Sequence, residues 1–131
     1  MKSEKPENFQ PGKANVFVFG SNEAGRHGAG AALWAMRNAG AKYGQGEGLQ
    51  GNSYGIPTKD YNMAVLPLDV VRNYIRRFFV FAKENPELTF YLTPVGTGYS
   101  RMPIGTIYDI VIGYIGLFKT DNVILTDSWY G

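Results

Sequence analysis

The spacing of apolar and polar positions changes repeatedly along the chain. Residues 15–19, Asn-Val-Phe-Val-Phe, form a β-branched and aromatic run that predicts a buried strand. An alanine-rich stretch over 28–38 has helical spacing and ends near Gly40, a residue suited to a helix C-cap. Glycines crowd 43–51 into an expected loop. Short strands are predicted at 53–57 and 63–66, then a helix over 68–84 with Asp69 as its N-cap, stopping before Pro86. A strand at 88–93, a helix over 103–118 with Pro103 in its first turn, and a strand at 122–126 complete the series. This alternation predicts an α/β domain whose helices cover a sheet. Residues 1–13, polar and of mixed charge, read as a flexible arm ahead of a single domain over 14–131.

Composition narrows the function classes. A chain of 131 residues, 44% hydrophobic and 18% charged, has the makeup of one folded domain with a real core. Its 17 glycines exceed the average usage of roughly 7% and direct attention to loops. A net charge of +2 without a clustered basic face gives no nucleic-acid signal, and Arg72, Arg76 and Arg77 read as the solvated side of a helix. With no cysteine and one histidine, disulfides, thiolate catalysis and Cys- or all-His metal sites are excluded, and neither a metal nor another cofactor is implied. The N-terminus has no apolar signal-peptide core, and residues 104–118 carry Asp109 and fall short of the ~20 residues of a membrane span. The expected location is the cytoplasm, with no membrane partner.

Candidate chemistry concentrates in two glycine-rich segments. Val16 to Ala32 runs from a strand through glycines and small residues into a helix, the layout of an anion-binding loop. Thr93-Pro94-Val95-Gly96-Thr97-Gly98-Tyr99-Ser100 lies between a second strand and a second helix. Two such loops suggest one diphosphate held between them. Gly20 and Gly25 stand five apart, as in a P-loop, but Arg26 and His27 occupy the places of its Lys and Ser/Thr, so ATP hydrolysis is not indicated. Gly46-Glu47-Gly48-Leu49-Gln50-Gly51 matches the dinucleotide fingerprint, yet it follows a helix and precedes a strand, the reverse of the required context.

Together these pieces resemble the macro domain family, the ADP-ribose-binding α/β module, over most of residues 15–118. Phe17-Val18-Phe19-Gly20-Ser21-Asn22 looks like the family's strand ending in an Asn-rich turn. Gly25-Arg26-His27-Gly28-Ala29-Gly30-Ala31-Ala32 resembles its first phosphate loop. Tyr43-Gly44-Gln45-Gly46-Glu47-Gly48 through Ser53-Tyr54-Gly55-Ile56-Pro57-Thr58-Lys59 is similar to its glycine turn and following strand, and Pro94-Val95-Gly96-Thr97-Gly98-Tyr99 with Pro103 to its second phosphate loop. The resemblance implies a three-layer α/β/α domain with a mixed central sheet, binding ADP-ribose or a related nucleotide. Two features depart from the family pattern. No Gly-Asp-Ile-Thr-like turn with its adenine-recognising Asp precedes the first strong strand, and the first loop lacks the acidic residue of some hydrolytic members.

The expected ligand-binding residues are Gly20, Ser21 and Asn22, then Gly28, Ala29, Gly30 and Ala31, then Gly96, Thr97, Gly98 and Tyr99. Asn22, at a strand's carboxyl end, could orient a ribose hydroxyl or an attacking water, or simply form an Asx turn. His27, ahead of a helix N-terminus, could serve as a general base, be an exposed loop histidine or make a polar contact to the substrate. Tyr99 could stack on the ligand, Glu23 and Glu47 read as solvated, and Arg101 could pair a phosphate or face solvent. The aromatics of residues 127–131 could wall the cleft or seal the core edge. Three functions stay open: an ADP-ribosyl hydrolase with Asn22 and His27 at its centre, a non-catalytic nucleotide binder, and an α/β protein-interaction domain.

Overall fold

The apolar run that begins at Asn15 becomes the central strand of a five-stranded sheet. The computed structural model describes residues 8–10 and 12–131. In it β1 (Asn15–Asn22) lies between β3 (Ser53–Lys59) and β4 (Thr89–Leu92), parallel to both. Beyond β4 lies β5 (Val123–Leu125), also parallel, and beyond β3 lies β2 (Gly48–Gln50), antiparallel, giving the order β2-β3-β1-β4-β5. Helices on both faces make this a three-layer α/β/α domain with a mixed sheet.

Side-chain alternation along β1 assigns the faces. Phe17 and Phe19 pack with Ala32, Trp34 and Ala35 of α1 (Gly30–Asn38). Val16 and Val18 point the other way, into a larger cluster with Ile75, Phe78 and Phe79 of α2 (Leu68–Glu84) and Ile107 and Val111 of α3 (Ile104–Phe118). A strand buried on both faces is what parallel pairing under two helical layers produces. The Asn122 amide at the foot of β5 closes the end of α2, donating to the carbonyls of Ala82, Asn85 and Leu88 at 3.0 to 3.2 Å.

Several expected elements are corrected. The glycine loop at 43–51 contains β2, which pairs with β3 through a tight turn. The strand expected at 63–66 reduces to one bridge, Lys59 with Val65, because the Asp60 carboxylate accepts the N–H groups of Asn62 and Ala64 and shapes a turn. Helix α1 starts at Gly30 rather than residue 28, since Ala29 is extended at φ −157°. Asp69 is not the N-cap of α2, a position held by Pro67, but its charge in the first turn favours the helix dipole.

The expected flexible arm is corrected at residues 8–10, while residues 1–7 and 11 lie outside the described residues. Phe9 is fully buried, its ring edge-on to Phe17, Trp34 and Tyr91 with centroids 5.3, 5.7 and 5.3 Å away. A single apolar residue in a polar stretch gives no periodic signal, yet here it completes the core beneath α1. Phe9→Ala should therefore cost about 3–5 kcal/mol, the usual range for emptying an aromatic site, measured as a lowered urea midpoint. A loss under about 1 kcal/mol would return this segment to the role of a loose arm.

Candidate ligand-binding cleft

Neighbouring strands β1 and β4 send their chains to opposite faces of the sheet, β1 into α1 and β4 into α3. Crevices open outside strand carboxyl ends at such a divergence. Here a cleft of about 900 Å³ lies there, within the span of small-molecule sites. Its walls are residues 28–32 on one side and 93–100 on the other, with Gly20, Ser21 and Asn22, Thr58 and Lys59, and Asp127 and Ser128 around it.

The two loops meet at Gly30. This residue has φ +57°, and a Cβ built on it would lie 3.0 Å from the Tyr99 ring, so a side chain here would be strained and would displace that ring. Gly20 permits the second loop to lie across β1, since its Cβ would come 3.3 Å from the Gly96 nitrogen. Hydroxyls fasten that loop down. Thr93 donates to the Val18 carbonyl at 2.7 Å, Thr97 to the Pro94 carbonyl at 2.7 Å, and Ser100 bonds Thr58 at 2.9 Å.

Backbone donors in both loops are left unspent. Among the described residues, no protein acceptor takes the N–H groups of residues 28–32, nor those of Gly96, Gly98 and Ser100. Some of these are the first-turn N–H groups that any helix start leaves over, and the dipole of α1 adds partial positive charge there. All of them belong to residues lining the cleft, which is therefore equipped to receive anionic oxygens.

The expected binding residues are brought together: Gly20, Ser21, Asn22, Gly28, Ala29, Gly30, Ala31, Gly96, Thr97, Gly98 and Tyr99 all line this cleft. Besides Thr97, which holds the Pro94 carbonyl, Ser21 and Asn22 have engaged side chains. The Ser21 hydroxyl donates to the Gly46 carbonyl. Asn22 accepts the Arg26 N–H at 2.8 Å and donates to the Arg26 carbonyl at 2.9 Å, the local Asx-type closure that holds the start of the first loop.

His27 does not reach the cleft, which corrects its expected role as a general base. Its ring is fully buried, edge-on to Phe19 at 5.2 Å. Nε2 lies 2.9 Å from the Gln45 carbonyl and 3.1 Å from Gln50 Oε1, both acceptors, so Nε2 carries the proton. Gln50 in turn accepts the Lys42 N–H and donates to the carbonyls of Gln45 and Gly48. His27 is a peg between the first loop and the hairpin of β2 and β3, while its Nδ1 has no partner among the described residues.

The charges sort in the same way. Glu23 accepts the Tyr74 hydroxyl hydrogen at 2.5 Å, and Glu47 pairs with Arg77 at 2.8 Å, so both glutamates are turned to α2 and neither lines the cleft. Arg101 is also absent from the lining, and Trp129 is buried with its indole donating to the Leu92 carbonyl at 2.7 Å. The charged side chains that do line the cleft are Arg26, Lys59 and Asp127. Lys59 closes the segment that resembles the family's glycine turn and following strand, but it is not among the expected binding residues. Asp127 belongs to no motif, and its signal is position, just past the carboxyl end of the last strand. Lys59 Nζ sits 5.8 Å over the Tyr99 ring.

No protein-family model and no curated protein matches this sequence. Among solved structures, a protein from Bacteroides thetaiotaomicron, determined by X-ray crystallography at the Northeast Structural Genomics Consortium, is similar in fold. It superposes with a TM-score of 0.57 at 14% identity, over 94% of this chain and 96% of that one. No helix among the described residues is long and apolar enough to cross a membrane.

Two substitutions test these roles. His27→Leu takes the imidazole N–H away from the Gln45 carbonyl and Gln50 Oε1, each of which keeps one other donor, and should cost about 0.5–1.5 kcal/mol in urea unfolding; an unchanged midpoint would remove the peg. Tyr74 is the second test. Partial burial and the hydrogen bond to Glu23 push its pKa from 10.0 up to about 12. The folded state thus holds the phenol proton after the unfolded chain has lost it. That stability is complete below pH 10 and disappears as the pH rises to 12. Tyr74→Phe should flatten the fall in stability across this window; an equally steep fall would show that Glu23 does not hold the hydroxyl.

Proposed function

We propose that this protein binds ADP-ribose, or a closely related nucleotide diphosphate, in the cleft at the carboxyl ends of β1 and β4. One observation carries this reading: two glycine-rich loops, widely separated in sequence, line one cleft with unspent backbone N–H groups. The diphosphate would lie between residues 28–31 and 96–99, with the Tyr99 ring beside it and the helix dipoles favouring its charge. This is also how the motifs resembling those of the macro domain family are used in that reading, and a macro-like protein acting in the cytoplasm is the identity we infer.

Between binding and hydrolysis, the geometry favours binding. His27 is occupied in the core, both glutamates near the glycine loops are engaged elsewhere, and the Asn22 amide holds the Arg26 backbone. A hydrolytic version would need the substrate's own oxygens to activate water, with Asn22 only orienting it.

Calorimetric titration with ADP-ribose, AMP, ADP, NAD and ribose 5-phosphate tests the reading. ADP-ribose should bind most tightly, and Gly30→Glu should abolish binding in a protein that still folds by circular dichroism, because it puts a carboxylate and a clash with Tyr99 into the first loop. Absence of heat with every ligand would overturn the proposal. Incubation with an ADP-ribosylated protein should release no ADP-ribose; turnover that Asn22→Ala removes would move the function to a hydrolase.

A further inference from the structure

The cleft is electrically polar along its length. Strand order sets the sequence of groups along its floor: Lys59 ends β3, Asn22 and the Arg26 it holds follow β1, the second loop follows β4, and Asp127 follows β5. Three strand spacings of about 4.8 Å put the cationic and acidic ends roughly 14 Å apart. That exceeds the Debye length of about 8 Å at physiological salt, so each end acts mainly on whatever ligand group lies beside it.

Among the described residues, neither Arg26, Lys59 nor Asp127 forms an ion pair, although Lys59 lies over the Tyr99 ring. Asp60, next in the chain to Lys59, gives its carboxylate to the N–H groups of Asn62 and Ala64. Asp127 is the only acidic side chain among the described residues that line the cleft. It is also held in place. Thr126 N–H and the Trp129 indole both donate to the Leu92 carbonyl, at 3.1 and 2.7 Å, and the Asp127 N–H is bonded to Asn8. The backbone that carries this carboxylate is thereby anchored at the edge of the cleft.

We propose that this polarity fixes the direction in which the ligand lies and its charge class: the site accepts an additional anionic group at the Lys59 end and rejects one at the Asp127 end. The group beside Asp127 is then an uncharged hydrogen-bond donor, a sugar hydroxyl or a base amine, for which a carboxylate is an acceptor only. The inference rests on the ligand reading above and extends it from one diphosphate to singly phosphorylated derivatives. It makes Lys59 and Asp127 specificity-determining residues acting at opposite ends of one molecule.

Two isomers test it whichever way round the ligand lies: ADP-ribose carrying one extra phosphate on the terminal ribose, and ADP-ribose carrying it on the adenosine ribose. Affinities are measured by calorimetry at low and high salt for the wild type, Asp127→Asn and Lys59→Gln. One isomer should bind about tenfold more tightly than the other, the order expected for a charge-assisted hydrogen bond at one end and repulsion at the other. Asp127→Asn should raise the weaker isomer several-fold and lower the stronger only slightly, since the amide oxygen still accepts from a hydroxyl or amine but without the charge; Lys59→Gln should lower the stronger. The difference should shrink at high salt, which a purely steric preference would not do. Equal affinities, or an Asp127→Asn effect equal on both isomers, would overturn the polarity while leaving the diphosphate site standing. Failure of plain ADP-ribose to bind the wild type would overturn both.

Discussion

Everything at the cleft depends on β1 being buried on both faces and ending at the cleft, which Gly20, Ser21 and Asn22 line. Phe17 and Phe19 face α1, Val16 and Val18 face the opposite helical layer, and the strand has parallel partners on both edges. With its faces and edges committed, the chain leaves β1 only at Ser21 and Asn22, where the register with β3 shifts. Gly20 just before this exit carries no side chain, and the loop after β4 settles across it. A packing requirement of the core thus becomes a binding surface at its rim. The transfer free energy of the aromatic and aliphatic side chains fixes the strand, and the fixed strand positions polar backbone that could not otherwise be held open.

The hairpin of β2 and β3 supplies the second support. His27 and Gln50 join it to the first loop through buried hydrogen bonds, and Gly25, at φ +73°, has no room for a side chain against the backbone of Gly44 and Gln45. The first loop is therefore clamped from the side away from the cleft, and its small residues at 28–31 are left to face the cavity. Residues that look chemically active in the sequence serve here as mechanical supports, and the surface offered to a ligand is mostly main chain.

The fold is largely legible in the sequence because its signals are periodic. Apolar runs of strand and helix period locate β1, β3, β4, α2 and α3 within a few residues, and their alternation gives the class. Isolated contacts are not legible: Phe9 is one ring in a polar stretch, and β2 is three residues defined by a partner rather than by composition. For the site, glycine spacing after strands marks both loops, because backbone geometry demands glycine locally. The role of His27 is hidden for the opposite reason, since its burial depends on Gln45 and Gln50, which lie far along the chain. Asp127 is hidden because it carries no motif; strand order alone brings it to the cleft.

The two tryptophans stand behind opposite walls of this cleft. Trp34 belongs to α1, the helix that the first loop leads into, and packs against Phe17 with centroids 4.7 Å apart. Trp129 lies on the other face of the sheet, under the turn that carries Asp127. Their emission therefore comes from two separate compartments of the interior. A protein keeping only one of them would carry a built-in optical probe of one wall, so that the response of each side to an occupant could be followed in time without any added label.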